Sequence, residues 1–191
     1  MLVKDILWSK QSNDKTAILD RHKQITYREL CHKCIKISQK IPHDCNCNIG
    51  VILENSANYA IAYFSILFAD KIVIPIHISS KTDEIVSTIQ YCGIQVLITN
   101  NEHISKIMAI DIHLSHPLTV YNIETDSFVW LNQNKPPMTS VTNNCVELED
   151  VAIMLHTSGT ISDPKRVMLT NRNLISNIEA NVQSLELGEN D

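Results

Sequence analysis

Short apolar runs alternate with helical patterns along this chain, and that alternation limits the folds it can adopt. The runs are short and mostly apolar, and the continuous apolar run Ile49–Leu53 is the pattern expected for a strand buried on both faces of a parallel sheet. They are Ile49–Leu53, Ile72–Ile76, Val96–Thr99 and Leu118–Ile123. Strands connected through helices form βαβ units. The sequence therefore predicts an α/β fold, with a mostly parallel sheet and flanking helices.

Capping residues and proline define the helix boundaries. Thr26, with Glu29 three residues later, forms a capping-box pattern, and Pro42 ends the helix that follows. Either Asn55 or Ser56 is placed to cap the next helix. The other predicted helices are Leu2–Lys10, Thr82–Tyr91, Glu102–Met108 and Asn171–Leu185. Ala17–Leu19 and Gln24–Thr26 predict a small hairpin, and the polar segment Trp130–Asn144 predicts a loop.

A hydroxyl-rich segment lies between two further predicted strands, Val151–Leu155 and Lys165–Leu169. Its candidate binding residues are Thr157, Ser158, Gly159, Thr160 and Lys165. Hydroxyl and backbone N–H groups donate hydrogen bonds to an anion, lysine adds a positive charge, and glycine lets the backbone approach a ligand. The segment is not a Walker loop, since Gly-x-x-x-x-Gly-Lys-Ser/Thr does not occur. Residue types alone favour phosphate binding no more than an ordinary polar turn between strands.

The same segment resembles the Thr-Ser-Gly-Thr-Thr-Gly-x-Pro-Lys-Gly signature of the AMP-forming ligases. That superfamily includes acyl-CoA synthetases, the adenylation domains of nonribosomal peptide synthetases, and luciferases. Three upstream segments are similar to the family's earlier landmarks in the same order, so the likeness covers nearly the whole chain. They are Ile25–Leu30, Gly50–Ser56 and Val73–Ile76.

The resemblance implies that residues 1–191 are the N-terminal part of the large domain of an adenylate-forming ligase. Such enzymes activate a small carboxylic acid with ATP and Mg²⁺, then often transfer the acyl group to the thiol of coenzyme A or a phosphopantetheine carrier. It assigns the β- and γ-phosphates to Thr157, Ser158, Gly159, Thr160 and Lys165. The family's catalytic and metal-binding residues correspond to positions beyond Asp191, so no catalytic residue and no metal ligand are assigned here.

Four positions depart from the family pattern. Ile161 and Ser162 replace the usual Thr-Gly, Arg166 replaces Gly, and Asn171 replaces a frequent His. A left-handed backbone at Ser162 would cost roughly 1–2 kcal/mol. Two alternatives remain for Arg166: added charge near the phosphates, or a side chain in solvent.

Two other functions compete with the ligase. One is a truncated, non-catalytic remnant or partner-binding module, whose uncovered apolar surface would favour self-association. The other is an unrelated doubly wound nucleotide-binding protein, which needs a glycine-rich turn after its first strand. Glu54, Asn55 and Ser56 follow Ile49–Leu53 without a glycine, which argues against the latter.

Composition and charge limit the kinds of binding partner and the cellular compartment that we expect for this chain. The net charge of −5 gives no indication of nucleic-acid binding, and the longest apolar stretch, Ala60–Ala69, is too short to span a membrane. No signal-peptide pattern follows Met1. We therefore expect a cytoplasmic protein without a membrane span.

The cysteines raise one further question, which concerns zinc. Cys31-x-x-Cys34 and Cys45-x-Cys47, with His32 and His43 nearby, resemble metal-ligand spacing. The first pair falls in a helical pattern and the second in a loop beyond Pro42, without a glycine-bearing knuckle. We expect metal-free thiols. His113-x-x-His116 is a weaker candidate, because Pro117 ends that segment.

Overall fold

The computed structural model describes residues 1–21, 23–43, 48–135, 150–157, 165–186 and 188. The helices are α1 (Val3–Trp8), α2 (Tyr27–Ser38), α3 (Ala57–Phe68), α4 (Thr82–Cys92), α5 (Asn101–Met108) and α6 (Asn171–Ser184). The strands are β1 (Thr16–Leu19), β2 (Gln24–Thr26), β3 (Asn48–Val51), β4 (Ile72–Pro75), β5 (Val96–Thr99), β6 (Leu118–Asn122), β7 (Ser127–Leu131), β8 (Val151–Thr157) and β9 (Lys165–Thr170).

In the described residues, the main sheet has seven strands in the order β7-β6-β5-β3-β4-β8-β9. β3 pairs in parallel with both β4 and β5, and β6 and β8 extend the parallel part outwards. β7 and β9 are antiparallel strands at the two edges, and β1 and β2 form a separate hairpin. The predicted α/β fold and the three neighbouring buried strands are confirmed.

Helices cover both faces of the sheet and create two hydrophobic clusters. On one face, residues of α1, α2 and α3 pack against Ile49, Val51 and Ile98. On the other, residues of α4 and α5 pack against Ile74 and Leu97. Successive strand residues point to opposite faces, so β4 and β5 each contribute side chains to both clusters. In the described part of the chain, no helix combines the length and apolar character needed to cross a membrane.

Side-chain caps begin several helices at the predicted positions. Glu29 N donates to Thr26 Oγ1 at 3.2 Å while Thr26 N donates to Glu29 Oε2 at 2.9 Å, which confirms the capping box. Ser56, rather than Asn55, caps α3 by accepting from Tyr59 N at 3.4 Å. Such caps satisfy backbone N–H groups that have no partner within the helix.

Two predicted boundaries are wrong. α2 ends at Ser38, before Pro42, so proline does not end the regular helix. The predicted loop Trp130–Asn144 begins too early, because Trp130 and Leu131 belong to β7 and pair with β6. Cross-strand pairing decides this, since Trp130 is 58% exposed on an edge strand and gives no burial signal. Residues 136–149 lie outside the described part.

Cys31 and Cys34 lie on α2, as predicted, and are buried. The Cys31 thiol donates to the Leu7 carbonyl at 3.1 Å, and the Cys34 thiol to the Ile61 carbonyl at 3.6 Å. Burial raises the pKa of Cys34 to about 12, so this thiol stays protonated at neutral pH. Metal binding by cysteine requires the thiolate. Cys45 and Cys47 lie outside the described residues, and their metal-free state stays a prediction.

Gly50 provides a test of packing at the centre of the sheet. A Cβ added there would lie 2.5 Å from Leu97 Cδ1 and 3.2 Å from Ile94 Cγ2. We expect Gly50→Ala to lower the free energy of unfolding by about 1–3 kcal/mol, because overpacking forces buried neighbours to move. Each kcal/mol lowers the melting temperature of a chain this size by about 2–4 °C. Adding Leu97→Val should recover part of the loss, and an unchanged melting temperature in Gly50→Ala alone would contradict this account.

Candidate functional site

The β8–β9 hairpin brings two of the predicted site residues together. Thr157 is the last residue of β8, Lys165 is the first of β9, and the antiparallel register pairs them directly. The side chain of Thr157, together with Ser158, Gly159 and Thr160, lies outside the described residues. So do the departures Ile161 and Ser162. The structure thus fixes the two ends of the candidate loop as neighbours across the hairpin.

These ends lie at the carboxyl edge of the parallel strands. β8 runs parallel to β4, so Thr157 leaves the sheet at the same edge as the ends of β3, β4 and β5. Open α/β sheets bind their ligands at the carboxyl ends of their strands. The exposed side chain of Lys165 is at this edge.

Arg166 has a role that neither alternative anticipated. Its guanidinium carbon lies 4.2 Å from the centre of the Tyr91 ring, and its Nη2 donates to the Tyr91 carbonyl. Tyr91 is in the last turn of α4, where backbone carbonyls have no partner within the helix. A cation at this end also interacts favourably with the helix dipole. The half-buried side chain of Arg166 therefore attaches β9 to α4 instead of extending into solvent.

His156 makes a second contact between the hairpin and α4. Its Nδ1 lies 3.2 Å from Thr88 Oγ1, and its ring centre is 5.2 Å from that of Tyr91. Thr88 Oγ1 already donates to the Glu84 carbonyl at 2.8 Å, so it accepts from a protonated Nδ1. Burial, with a smaller effect of the Arg166 charge, lowers the pKa of His156. The imidazole is therefore neutral at neutral pH.

His156 and Arg166 are direct cross-strand partners, and the sequence analysis missed His156 altogether. The only local signal was its position immediately before Thr157. Nothing in the sequence places either residue against α4, which lies more than sixty positions earlier. The pairing of β8 with β9 and the packing of α4 against the sheet together create this contact.

A separate cavity of about 760 Å³ lies beside α2, α3 and β6. Two of its charged side chains form an ion pair, since Lys36 Nζ lies 3.5 Å from Asp126 Oδ2, and the Tyr121 hydroxyl donates to Asp126 at 2.6 Å. Hydrogen bonds from Lys40 and Tyr121 lower the pKa of Asp126 to about 2. These contacts give Asp126 a structural role beside the cavity, and the residues singled out from the sequence lie instead at the carboxyl edge.

The family model described as "AMP-binding enzyme" matches residues 7–191. The chain belongs to this family. It is 26% identical to the 4-coumarate–CoA ligase-like protein 6 of Arabidopsis thaliana over 69% of this chain and 24% of that protein. It is 22% identical to the mitochondrial malonate–CoA ligase of Mus musculus over 93% of this chain and 31% of that protein. The chain thus spans about a third or less of these two relatives.

Solved structures share the fold. The o-succinylbenzoate–CoA synthetase of Bacillus subtilis in complex with AMP aligns with a TM-score of 0.74 and 14% identity, over the whole of this chain and 48% of that one. The Vibrio cholerae adenylation domain AlmE, in complex with glycyl-adenosine-5'-phosphate, aligns with a TM-score of 0.74 and 16% identity, over 98% of this chain and 39% of that one. The predicted family and fold are therefore confirmed, while the individual site residues remain predictions.

Arg166 and Lys165 are adjacent cations for which the structure predicts different effects on stability. Arg166→Met should lower the free energy of unfolding by about 1–3 kcal/mol, since it removes the ring contact and the charge-assisted hydrogen bond. Lys165→Met should change it by less than about 0.5 kcal/mol, because an exposed side chain contributes little. Urea unfolding of both variants measures the difference. Equal losses would show that the contact with Tyr91 does not hold the hairpin.

Proposed function

We propose that this chain is the N-terminal portion of an ATP-dependent, AMP-forming carboxylate ligase similar to acyl-CoA synthetases. The observation that supports this most is the pairing of Thr157 with Lys165 at the carboxyl edge of the sheet. It places the lysine beside the start of the hydroxyl-rich loop. Membership in the AMP-binding enzyme family, shown over residues 7–191, supports the same reaction class.

In the proposed reaction, a carboxylate oxygen of the acid attacks the α-phosphorus of ATP. The new bond gives an acyl-AMP, and the bond to the bridging oxygen breaks to release pyrophosphate. A thiol then attacks the acyl carbon and AMP leaves. Lys165 and the hydroxyls of Thr157, Ser158 and Thr160 would stabilise the charge that builds on the leaving pyrophosphate, as prepositioned donors and cations do.

The acceptor thiol and the metal ion concern the chemistry beyond the phosphate loop. Relatives named as CoA ligases and as peptide synthases match this chain equally well in extent, so coenzyme A and a phosphopantetheine carrier are both compatible. Mg²⁺ prefers carboxylate and phosphate oxygens. The described residues that join the β8–β9 hairpin to α4 include no carboxylate; they are Thr88, Tyr91, His156 and Arg166. We therefore assign none of them to Mg²⁺.

Lys165→Ala tests the phosphate role. In the full-length protein that contains this sequence, we expect Lys165→Ala to reduce the rate of acid-dependent ATP–pyrophosphate exchange about tenfold to a hundredfold. That is the loss expected from one charge-assisted contact of about 1.5–3 kcal/mol. The melting temperature should stay unchanged, because Lys165 is exposed. Lys165→Arg, which keeps the charge, should retain more activity than Lys165→Ala.

Lys33→Ala, which removes an exposed lysine of α2, is the matched control and should leave the exchange rate unchanged. Arg166 should not compensate for Lys165, because it is committed to Tyr91 and adjacent strand residues point to opposite faces. Full exchange activity in Lys165→Ala, with a lowered melting temperature, would make Lys165 a structural residue and refute the assignment.

Exposed apolar side chains on β9, on α6 and just after α6 favour a second proposal, self-association of this 191-residue chain. β9 ends the sheet within the described residues, and large apolar side chains here are 42–65% exposed. They are Val167, Met168, Ile178, Val182 and Leu185. An apolar face beside a strand edge promotes pairing between copies.

Light scattering after gel filtration tests this surface. We expect the 191-residue chain to show concentration-dependent oligomers, and Met168→Lys combined with Val182→Glu to shift it towards monomer. Leu19→Glu, at a 76% exposed position in the β1–β2 hairpin, controls for added charge alone. A monomer at every concentration, or an equal effect of Leu19→Glu, would contradict the proposal.

A further inference from the structure

Two carboxylates and an imidazole converge at the carboxyl edge of the sheet, separated from the β8–β9 hairpin by β4. Glu54 lies just after β3, while Glu102 and His103 are in the first turn of α5, which follows β5. β3 and β5 are parallel neighbours, so their carboxyl ends meet. One ligand atom from each of the three side chains lies within 4.8 Å of the others.

His103 is the member of this cluster that points to a ligand. Its side chain and backbone together are only 9% exposed, and its Nε2 is buried without a hydrogen-bond partner among the described residues. That nitrogen lies 3.3 Å from Glu54 Oε2, within ion-pair range, yet the geometry is not that of a hydrogen bond. A buried polar atom without a partner is costly, so its orientation towards two carboxylates requires an explanation.

The spacing fits two ligands of one ion. At the usual bond lengths of Zn²⁺ to imidazole nitrogen and carboxylate oxygen, two tetrahedral ligand atoms lie roughly 3.3–3.5 Å apart. Ligand atoms around an ion point at the ion and not at each other. The close contact between His103 and Glu54 without a hydrogen bond is therefore the arrangement that a bound cation would produce.

Asn100 forms hydrogen bonds with both Glu54 and His103. Its Nδ2 donates to the two carboxylate oxygens of Glu54 at 3.2 and 3.0 Å, and its Oδ1 accepts from His103 N at 3.2 Å. Asn100 is itself only 2% exposed. The hydrogen bonds to the Glu54 carboxylate orient this ligand group, as such partners do in metal sites, while the bond to His103 N caps α5. A single buried amide thus fixes the β3 end and the α5 start of the cluster.

The charges of the cluster are also not neutralised by lysine or arginine. In the described part of the chain, neither Glu54 nor Glu102 forms an ion pair with either residue type. Glu124 adds a third carboxylate nearby, since its Oε2 accepts from Asn101 N at 3.0 Å. The local field therefore favours a cation.

We propose that Glu54, Glu102 and His103 form a binding site for a divalent transition-metal ion. Mixed imidazole and carboxylate donors suit Zn²⁺ better than Ca²⁺ or Mg²⁺, which prefer oxygen alone. The ion would join the ends of β3 and β5 through α5. This site is independent of the phosphate loop and of the proposed ligase reaction.

Equilibrium dialysis with Zn²⁺, followed by elemental analysis, tests the site in untagged protein stripped with a chelator and kept reduced. We expect one bound Zn²⁺ that raises the melting temperature, because a ligand that binds only the folded state stabilises it. Glu54→Gln and Glu102→Gln should each weaken binding at least tenfold, about 1.4 kcal/mol. Glu102 is exposed, so its variant remains informative even if Glu54→Gln impairs folding.

Two controls separate this site from other metal-binding groups. Glu179→Gln and His113→Gln remove an exposed carboxylate and an exposed histidine elsewhere, and should leave the affinity unchanged. Co²⁺ in place of Zn²⁺ should show no sulfur-to-metal charge-transfer band, which excludes the cysteines. If no Zn²⁺ binds, or if its affinity survives both glutamate variants, then Glu54 and His103 form only an ion pair and the proposal fails.

Discussion

The burial of both faces of β3 is the constraint on which the rest of the structure depends. β3 is hydrogen-bonded to β4 on one side and β5 on the other, and all of its residues are buried. Ile49 and Val51 belong to one hydrophobic cluster, while Gly50 lies against residues of the other. Gly50 allows Leu97 and Ile94 to approach the backbone, which a Cβ would prevent. Because no face of this strand meets water, polar chemistry is confined to the ends of the strands. The candidate residues accordingly lie at the carboxyl edge.

The β8–β9 hairpin is positioned by α4 as well as by its own hydrogen bonds. His156 contacts Thr88, and Arg166 contacts Tyr91, so both cross-strand partners reach the same helix. Gly93 ends α4 in a left-handed conformation with φ 65°, and Ile94 N donates back to the Ile89 carbonyl at 2.9 Å. This Schellman arrangement gives the Ile89 carbonyl, near the C-terminus of α4, a hydrogen-bond donor, and Arg166 provides a donor for the Tyr91 carbonyl. The ends of the candidate phosphate loop are therefore held by contacts with a helix distant in sequence.

The departure from the family pattern at Arg166 has a structural explanation. A glycine at this position has no side chain to reach Tyr91, whereas arginine combines a ring contact with a hydrogen bond to a helix carbonyl. The same edge of the sheet carries Glu54, Glu102 and His103 beyond β4 from the hairpin. A fold shared with AMP-binding enzymes thus presents two chemically different groups of side chains here, the cations Lys165 and Arg166 and the carboxylates with His103.

The sequence by itself determined the elements whose signals are local. Thr26 with Glu29 specified a capped helix, and the short, mostly apolar runs specified buried parallel strands, because a cap or a doubly buried strand depends on neighbouring residues. It also placed the family signature at residues 157–165. Only the tertiary structure decided that Trp130 belongs to an edge strand, that Arg166 lies on Tyr91, and that His103 faces Glu54. Those outcomes depend on strand register and on helices packed against the sheet, which bring together residues far apart in the chain.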